Sequence, residues 1–210
     1  MIAFPSIGKK VEKDLKIYAF DKLDGSNIQA LWEWDRGFSM FGTRKRPINE
    51  NTKTFGEAIQ LINDGYSEAM REVFEANGVA QASCFFEFVG EHSFAGRHKT
   101  EKHHTILFDV YISNPPTGFV APDMFIRFFA GKVPTSKLLY EGVADEAFLS
   151  QVKEGTLPGI NFEGVVCKGT RRTNENKNKE IVVFKAKNKH WIQALSDQCK
   201  GDMELFNKLV

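Results

Sequence analysis

A lysine stands two residues before an Asp-Gly pair in the stretch Asp21-Lys22-Leu23-Asp24-Gly25-Ser26-Asn27, between apolar runs at 15–20 and 28–34. Asp-Gly in that setting is a turn signal, because Gly25 can take a positive φ at little cost. The stretch therefore predicts a hairpin with Lys22 close to its turn. Two readings of the lysine follow. It is a solvated charge on an ordinary hairpin, or its amine is fixed in a pocket where it acts as a nucleophile. Residues elsewhere in the chain have to decide between them.

Strands are predicted at 16–20, 26–34, 38–43, 83–89, 105–112, 138–140, 159–167 and 181–187, the first three as consecutive antiparallel neighbours. Ile28, Ala30, Trp32 and Trp34 alternate along the second of them. Residues 83–89 are apolar on both faces, which predicts a central strand. Residues 54–77 change to helical spacing, with Phe55, Ala58, Ile59 and Ile62 and then Ala69, Val73 and Phe74. Asn63-Asp64-Gly65 interrupts the pattern, so two helices are predicted there. Further helices are expected at 121–131, 145–153, 191–195 and 203–209, and charged loops at 91–103 and 169–179. Residues 1–10 read as an irregular lead-in. No repeat or linker divides the chain. The expected organisation is one domain over residues 1–210, an α+β fold of antiparallel sheets flanked by helices, with short helices at its C-terminal end.

Composition sets the boundaries of function. The 19 phenylalanines suit an aromatic core between sheets. No apolar run approaches the roughly 20 residues that span a bilayer. Residues 1–11 lack a secretory pattern, so no membrane partner is expected. Cys84, Cys167 and Cys199 are odd in number and match neither a disulfide framework nor a metal spacing, which points to a reducing compartment, the cytoplasm. His98, His103 and His104 show no zinc spacing and read as loop residues. A net charge of +1 neither favours nor excludes nucleic acid; the placement of charge matters more.

Several predicted strands carry charges that a plain sandwich does not need. Glu87 lies in Phe86-Glu87-Phe88, Asp109 in Phe108-Asp109-Val110, and Glu163 and Lys168 stand at opposite ends of an apolar run. Lys185 and Lys187 share one face of their strand by the period of two. Each alone suits an edge strand protected by charge. Together, with the lysine turn upstream, they form a set of cations and carboxylates of the kind that a polyphosphate and a metal require.

That set resembles the covalent lysyl-nucleotidyltransferases, the polynucleotide ligases and mRNA capping enzymes, in order and over roughly residues 15–190. Lys22-Leu23-Asp24-Gly25 is similar to the family's first motif, and Phe86-Glu87-Phe88-Val89-Gly90 to its third. Ile106-Leu107-Phe108-Asp109-Val110 is similar to motif IIIa, Glu163-Gly164-Val165-Val166-Cys167-Lys168 to motif IV, and Lys185-Ala186-Lys187 to motif V. The resemblance implies an ATP-grasp-like nucleotidyltransferase domain and catalysis by Lys22, assisted by Lys185 and Lys187. It implies nucleotide contacts at Asp21, Asp24, Gly25, Asn27, Arg44, Glu87, Phe108, Glu163, Lys168, Lys185 and Lys187. In this scheme Lys22, freed of its proton, attacks the α-phosphorus of ATP. Glu87 takes a ribose hydroxyl, Phe108 stacks on adenine, Arg44 touches a phosphate, and Glu163 holds the hydration shell of Mg²⁺ or Mn²⁺.

Ser26 and Asn27 after the glycine resemble the RNA ligases that seal nicks in duplex RNA, whereas DNA ligases and capping enzymes show an arginine nearby. Those RNA ligases often have histidine where Asp24 stands, so the match is mixed. The expected activity is an ATP-dependent RNA ligase joining 5′-phosphate and 3′-hydroxyl ends through a lysyl-AMP, in RNA repair of nicked duplexes or broken ends. Alternatives are a minimal ATP-dependent DNA ligase, or a non-catalytic nucleotide- or RNA-binding module of the same fold. With 23 residues after Lys187, neither an OB-fold domain nor its motif VI is expected within this chain. Residues 44–46, 97–104 and 171–179 are the candidate basic surfaces for the strand.

Overall fold

The computed structural model describes all residues except 1, 3, 6, 9, 13–14, 92–99 and 173–178. In chain order the first elements are β1 (Lys16–Lys22), β2 (Ser26–Glu33), β3 (Gly37–Thr43), β4 (Pro47–Ile48), α1 (Gly56–Ala76), β5 (Gln81–Val89), β6 (His104–Asn114), β7 (Gly118–Phe119) and α2 (Pro122–Phe129). They are followed by β8 (Leu138–Val143), α3 (Glu146–Glu154), β9 (Gly164–Arg172), β10 (Lys179–Lys187), α4 (Lys189–Cys199) and α5 (Met203–Leu209). Two compact units contain these elements, one from β2 to α2 and the other from β1 with β8 to α5. Both sheets are antiparallel and carry helices, the α+β architecture that the sequence predicts.

The unit holding β1 has the strand order β10-β9-β1-β8. Period-two alternation sorts its side chains. Ile17, Ala19, Val165, Cys167 and Phe184 are buried with Phe148 and Val152 of α3. The intervening positions present charge on the opposite face. The Asp145 carboxylate caps α3 by accepting the Phe148 N–H at 2.8 Å. Asn188 does the same for α4, accepting the His190 N–H at 2.7 Å. Phe162, Trp191, Leu195 and Cys199 form a second cluster, with Phe206 and Leu209 of α5 against it.

The other unit has the strand order β4-β3-β2-β5-β6-β7. Strand β5 pairs with β2 and β6, so the central position predicted for 83–89 is the observed one. Phe86 lies 4.9 Å from Tyr66 of α1, ring centre to ring centre, while Phe85 lies 5.0 Å from Phe4. Each fully buried phenylalanine contributes roughly 1.5–3 kcal/mol, so the heavy use of this residue is accounted for by a core on both faces of β5.

Three expectations are corrected. The Asp24-Gly25 turn does not close a hairpin, because β1 pairs with β8 and β9 whereas β2 pairs with β3 and β5. The chain passes from one unit to the other between those two residues. The two helices predicted within 54–77 are one, α1. Gly65 lies on its exposed side, where the cost of about 1 kcal/mol for glycine does not break a helix held by Ile59, Ile62, Tyr66 and Met70. Trp34 falls beyond β2 and is exposed, since the strand ends at Glu33.

Candidate active site

The register of the four-stranded sheet explains how the predicted residues meet. Lys22 of β1 and Lys187 of β10 are both paired with Gly164 of β9, so three strands place lysine, glycine and lysine in one row. Directly opposed residues project to the same face. Glu163, the residue before that glycine, receives both amines on one carboxylate oxygen: Lys22 Nζ stands 2.8 Å and Lys187 Nζ 2.9 Å from Oε1. Glu163 is 5% exposed, so the two ion pairs act in a poorly hydrated setting. Burial is the main cause that lowers the Lys187 amine from 10.5 to about 8; the neighbouring Lys22 and Lys185 act in the same direction and Glu163 opposes them.

Glycine between the lysines is a steric requirement. Gly164 has φ +136°, and a Cβ there would stand 2.2 Å from the Ala186 carbonyl oxygen. No side chain fits.

Other predicted residues of this unit surround the row. Lys185 lies two positions before Lys187 and donates to the Val210 carbonyl at 2.9 Å. Lys168 is buried inside β9, not at its end, with its amine 5.3 Å from the centre of the Phe20 ring. Asp24 is buried. Asp21 is buried too, and its carboxylate accepts the Asn161 backbone N–H at 3.0 Å, which fixes the segment leading to Glu163. Burial raises the Asp21 carboxyl above its ordinary value, with the Asn161 bond opposing. From the other side, Asn188 N–H donates to the Glu163 carbonyl at 3.0 Å.

The remaining predicted residues lie in the other unit. Asn27 and Glu87 are directly paired across β2 and β5. Gly25 does not have the positive φ expected of a turn glycine. Its role is close approach instead, since a Cβ would stand 2.5 Å from the Phe88 carbonyl oxygen and 3.0 Å from Glu87 Cγ. The side-chain oxygens of Asn27 and Gln29 are buried with no hydrogen-bond partner among the described residues. Two such acceptors in succession on one strand face fit a strand that meets a polar ligand. Phe108 is the extra residue of a bulge, for Phe85 opposes Asp109 while Phe86 opposes Leu107. Its ring meets Phe4 edge-on at 5.0 Å. Arg44 sits with Lys45 and Arg46 on the exposed turn between β3 and β4. Of the other two basic stretches, 97–99 and 173–178 lie outside the described residues.

Sequence reasoning passed over two residues near these sites. His103, read as a loop residue, stands 2.7 Å from Glu57 of α1 and 4.5 Å from the Phe88 ring. Trp191 lies under Lys187, whose amine is 3.6 Å from the ring centre. Its helical spacing gives no signal beyond that of core.

No three His, Cys, Asp or Glu side chains gather as a ready cation cage among the described residues. A single buried carboxylate among lysines fits a small hard cation that keeps most of its waters and takes other ligands from phosphates. Among the described residues, no helix is long and apolar enough to cross a membrane. Cys84, Cys167 and Cys199 are free and buried.

A family model described as RNA ligase matches residues 15–187. The fold is similar to that of Naegleria gruberi RNA ligase in several states. Against an apo mutant the TM-score is 0.61 at 16% identity, covering 92% of this chain and 59% of that one. Against the form with PPi the TM-score is 0.61 at 16% identity, covering 88% and 53%. A mutant with ATP and Mn gives 0.60 at 16% identity, covering 88% and 52%. The chain thus spans less than two thirds of the ligase chains it matches. No curated protein matches it in sequence.

Proposed function

The chain belongs to the RNA ligase family, and from that premise we propose that it joins a 5′-phosphate to a 3′-hydroxyl in RNA, consuming ATP through a lysyl-AMP on Lys22. The observation that carries this reading is the convergence of Lys22 and Lys187 on one Glu163 oxygen, at 2.8 and 2.9 Å. A solvated hairpin lysine has no use for a buried carboxylate shared with a second ammonium. Residues 1–210 constitute one nucleotidyltransferase domain in this reading, with α4 and α5 as its last elements.

In the first step the Lys22 nitrogen, having given up a proton, bonds to the α-phosphorus. The bond from that phosphorus to the pyrophosphate oxygen breaks, and the electron pair leaves with pyrophosphate. Lys185 and Lys187 offset the charge that develops on the phosphate oxygens. An oxygen of the strand's 5′-phosphate then attacks the AMP phosphorus, the phosphorus–nitrogen bond breaks, and Lys22 leaves as the amine, taking up a proton. The 3′-hydroxyl oxygen attacks that phosphate, and AMP departs. Glu87 is assigned a ribose hydroxyl, Phe108 the adenine face, Arg44 a phosphate, and Asp21, Asp24, Gly25, Asn27 and Lys168 the rest of the nucleotide surroundings. Mg²⁺ or Mn²⁺, held through its waters by Glu163, would neutralise phosphate charge. The ATP, Mn and PPi named in the Naegleria gruberi ligase structures support this choice of ligands.

The test is covalent labelling. Incubated with α-labelled ATP and Mg²⁺, the protein is expected to take up label in an acid-labile, base-stable linkage, and Lys22→Ala to take up none. A protein that neither labels nor joins a 5′-adenylylated strand would sink the enzyme reading. Sealing of nicked RNA in preference to nicked DNA and single-stranded RNA separates the RNA ligase from a minimal DNA ligase.

A further inference from the structure

Trp191 lies in the first turn of α4, four residues beyond Lys187, and its ring lies face-on to the Lys187 amine at 3.6 Å from the centre. The ring is 2% exposed and shares its cluster with Phe162, the neighbour of Glu163. One residue therefore underlies a lysine of the row directly and the carboxylate that the row shares through a single chain step. Trp191 Nε1 is buried with no hydrogen-bond partner among the described residues. Leucine or phenylalanine would fill an apolar cluster without burying an unpaired N–H, which is unfavourable. Packing alone gives no reason for tryptophan here. Its face does, because the indole is the strongest cation–π partner among the side chains.

Resting on the ligase reading above, we propose that Trp191 is a positioning residue for lysine adenylylation, seating the Lys187 ammonium on its ring so that the amine is held toward Glu163 and the phosphates. Two observed contacts orient the Lys187 Nζ, the Glu163 oxygen at 2.9 Å and the indole face, which leaves an N–H for a phosphate oxygen in the proposed reaction. Among the described residues, Lys22 and Lys185 repel Lys187 and do not orient it, while Lys16 on the same face of β1 is paired with Glu141. Lys189 of α4 is paired with Glu154 of α3 and takes no part. Trp191 touches no reacting atom and acts through Lys187.

A proton NMR shift reads the seat without reference to activity. In protein carrying ¹³C-lysine, with Lys187 assigned through Lys187→Arg, the ε-methylene protons of Lys187 are expected upfield of all solvated lysines in the wild type. Trp191→Phe keeps most of that displacement and Trp191→Leu abolishes it. In the same proteins, single-turnover lysyl-AMP formation at saturating ATP is expected within about threefold of wild type for Trp191→Phe. For Trp191→Leu it falls about tenfold, with half-saturating ATP little changed, the size of a desolvated cation–π contact. An unshifted Lys187 in the wild type overturns the proposal, whatever the variants do. So does a Trp191→Leu protein that labels as fast as Trp191→Phe. If the upfield shift is present but the wild type forms no lysyl-AMP, the ligase reading is what fails, and the seat for Lys187 stands.

Discussion

At position 164 the chain runs with φ +136° between two lysine-bearing strands, and the Ala186 carbonyl oxygen leaves no room for a Cβ. Alanine there meets backbone, which cannot swing aside as a flexible side chain does. Gly164→Ala is expected to cost about 2–4 kcal/mol, from the strained φ and the overpacking together. Urea denaturation at neutral pH measures it, and a midpoint equal to wild type would contradict the steric account. Lys22, Glu163 and Lys187 were legible in the sequence because charges inside apolar runs are conspicuous. Trp191 was not, since an apolar residue at helical spacing is what any core helix shows. Gly25 was legible as special for the wrong reason: the turn signal pointed to a positive φ, whereas the need is close approach to Phe88.

For whole elements, local signals were read well where one element decides its own form and poorly where pairing decides. The period of two marked most strands, but β4 and β7 gave no signal. The strand predicted at 159–167 is β9 at Gly164–Arg172, running into the stretch predicted as loop because its pairing with β1 and β10 sets its ends. The Asp145 and Asn188 caps bound α3 and α4 where polar residues precede apolar periodicity. The β1–β2 hairpin failed because an Asp-Gly pair looks the same whether its strands pair with each other or leave for different sheets. The choice rests on long-range partners such as β8 and β9, more than a hundred residues away. Helix α1 illustrates tertiary tying of a different kind. Tyr66 donates its hydroxyl to the Thr105 carbonyl of β6, and burial pushes the phenol up from 10.0 to about 12. The folded chain then keeps a proton that the unfolded chain loses between pH 10 and 12. Stability from Tyr66 is complete below about pH 10 and declines as pH rises toward 12. Tyr66→Phe is expected to be less stable at neutral pH by about 1 kcal/mol and to show a shallower alkaline decline in denaturant midpoint.

Across the molecule a net charge of +1 gives RNA no general attraction, so the strand binding proposed above would have to come from where the cations stand. Lys45 and Arg46 are exposed on the β3–β4 turn, beside Arg44. Replacing both by serine is expected to weaken nicked-duplex RNA binding and to reduce the salt dependence of log K by about one to two units of slope, while ATP labelling persists. A salt titration by fluorescence anisotropy decides it; an unchanged slope removes this turn from the RNA surface.

The shared oxygen of Glu163 has a consequence for the direction of the proposed reaction. Before attack, two ammoniums and one carboxylate leave this cluster with a surplus of one positive charge, which favours the arrival of a polyanion. Once the Lys22 nitrogen carries AMP it is no longer a cation, and Lys187 and Glu163 cancel. Loss of the Lys22 proton and formation of the phosphoramide thus lower the positive charge around Glu163 by one, which weakens the hold on pyrophosphate while Lys185 remains close by. The carboxylate is left with one ammonium in place of two, and the chemistry of the first step resets the electrostatics for the second.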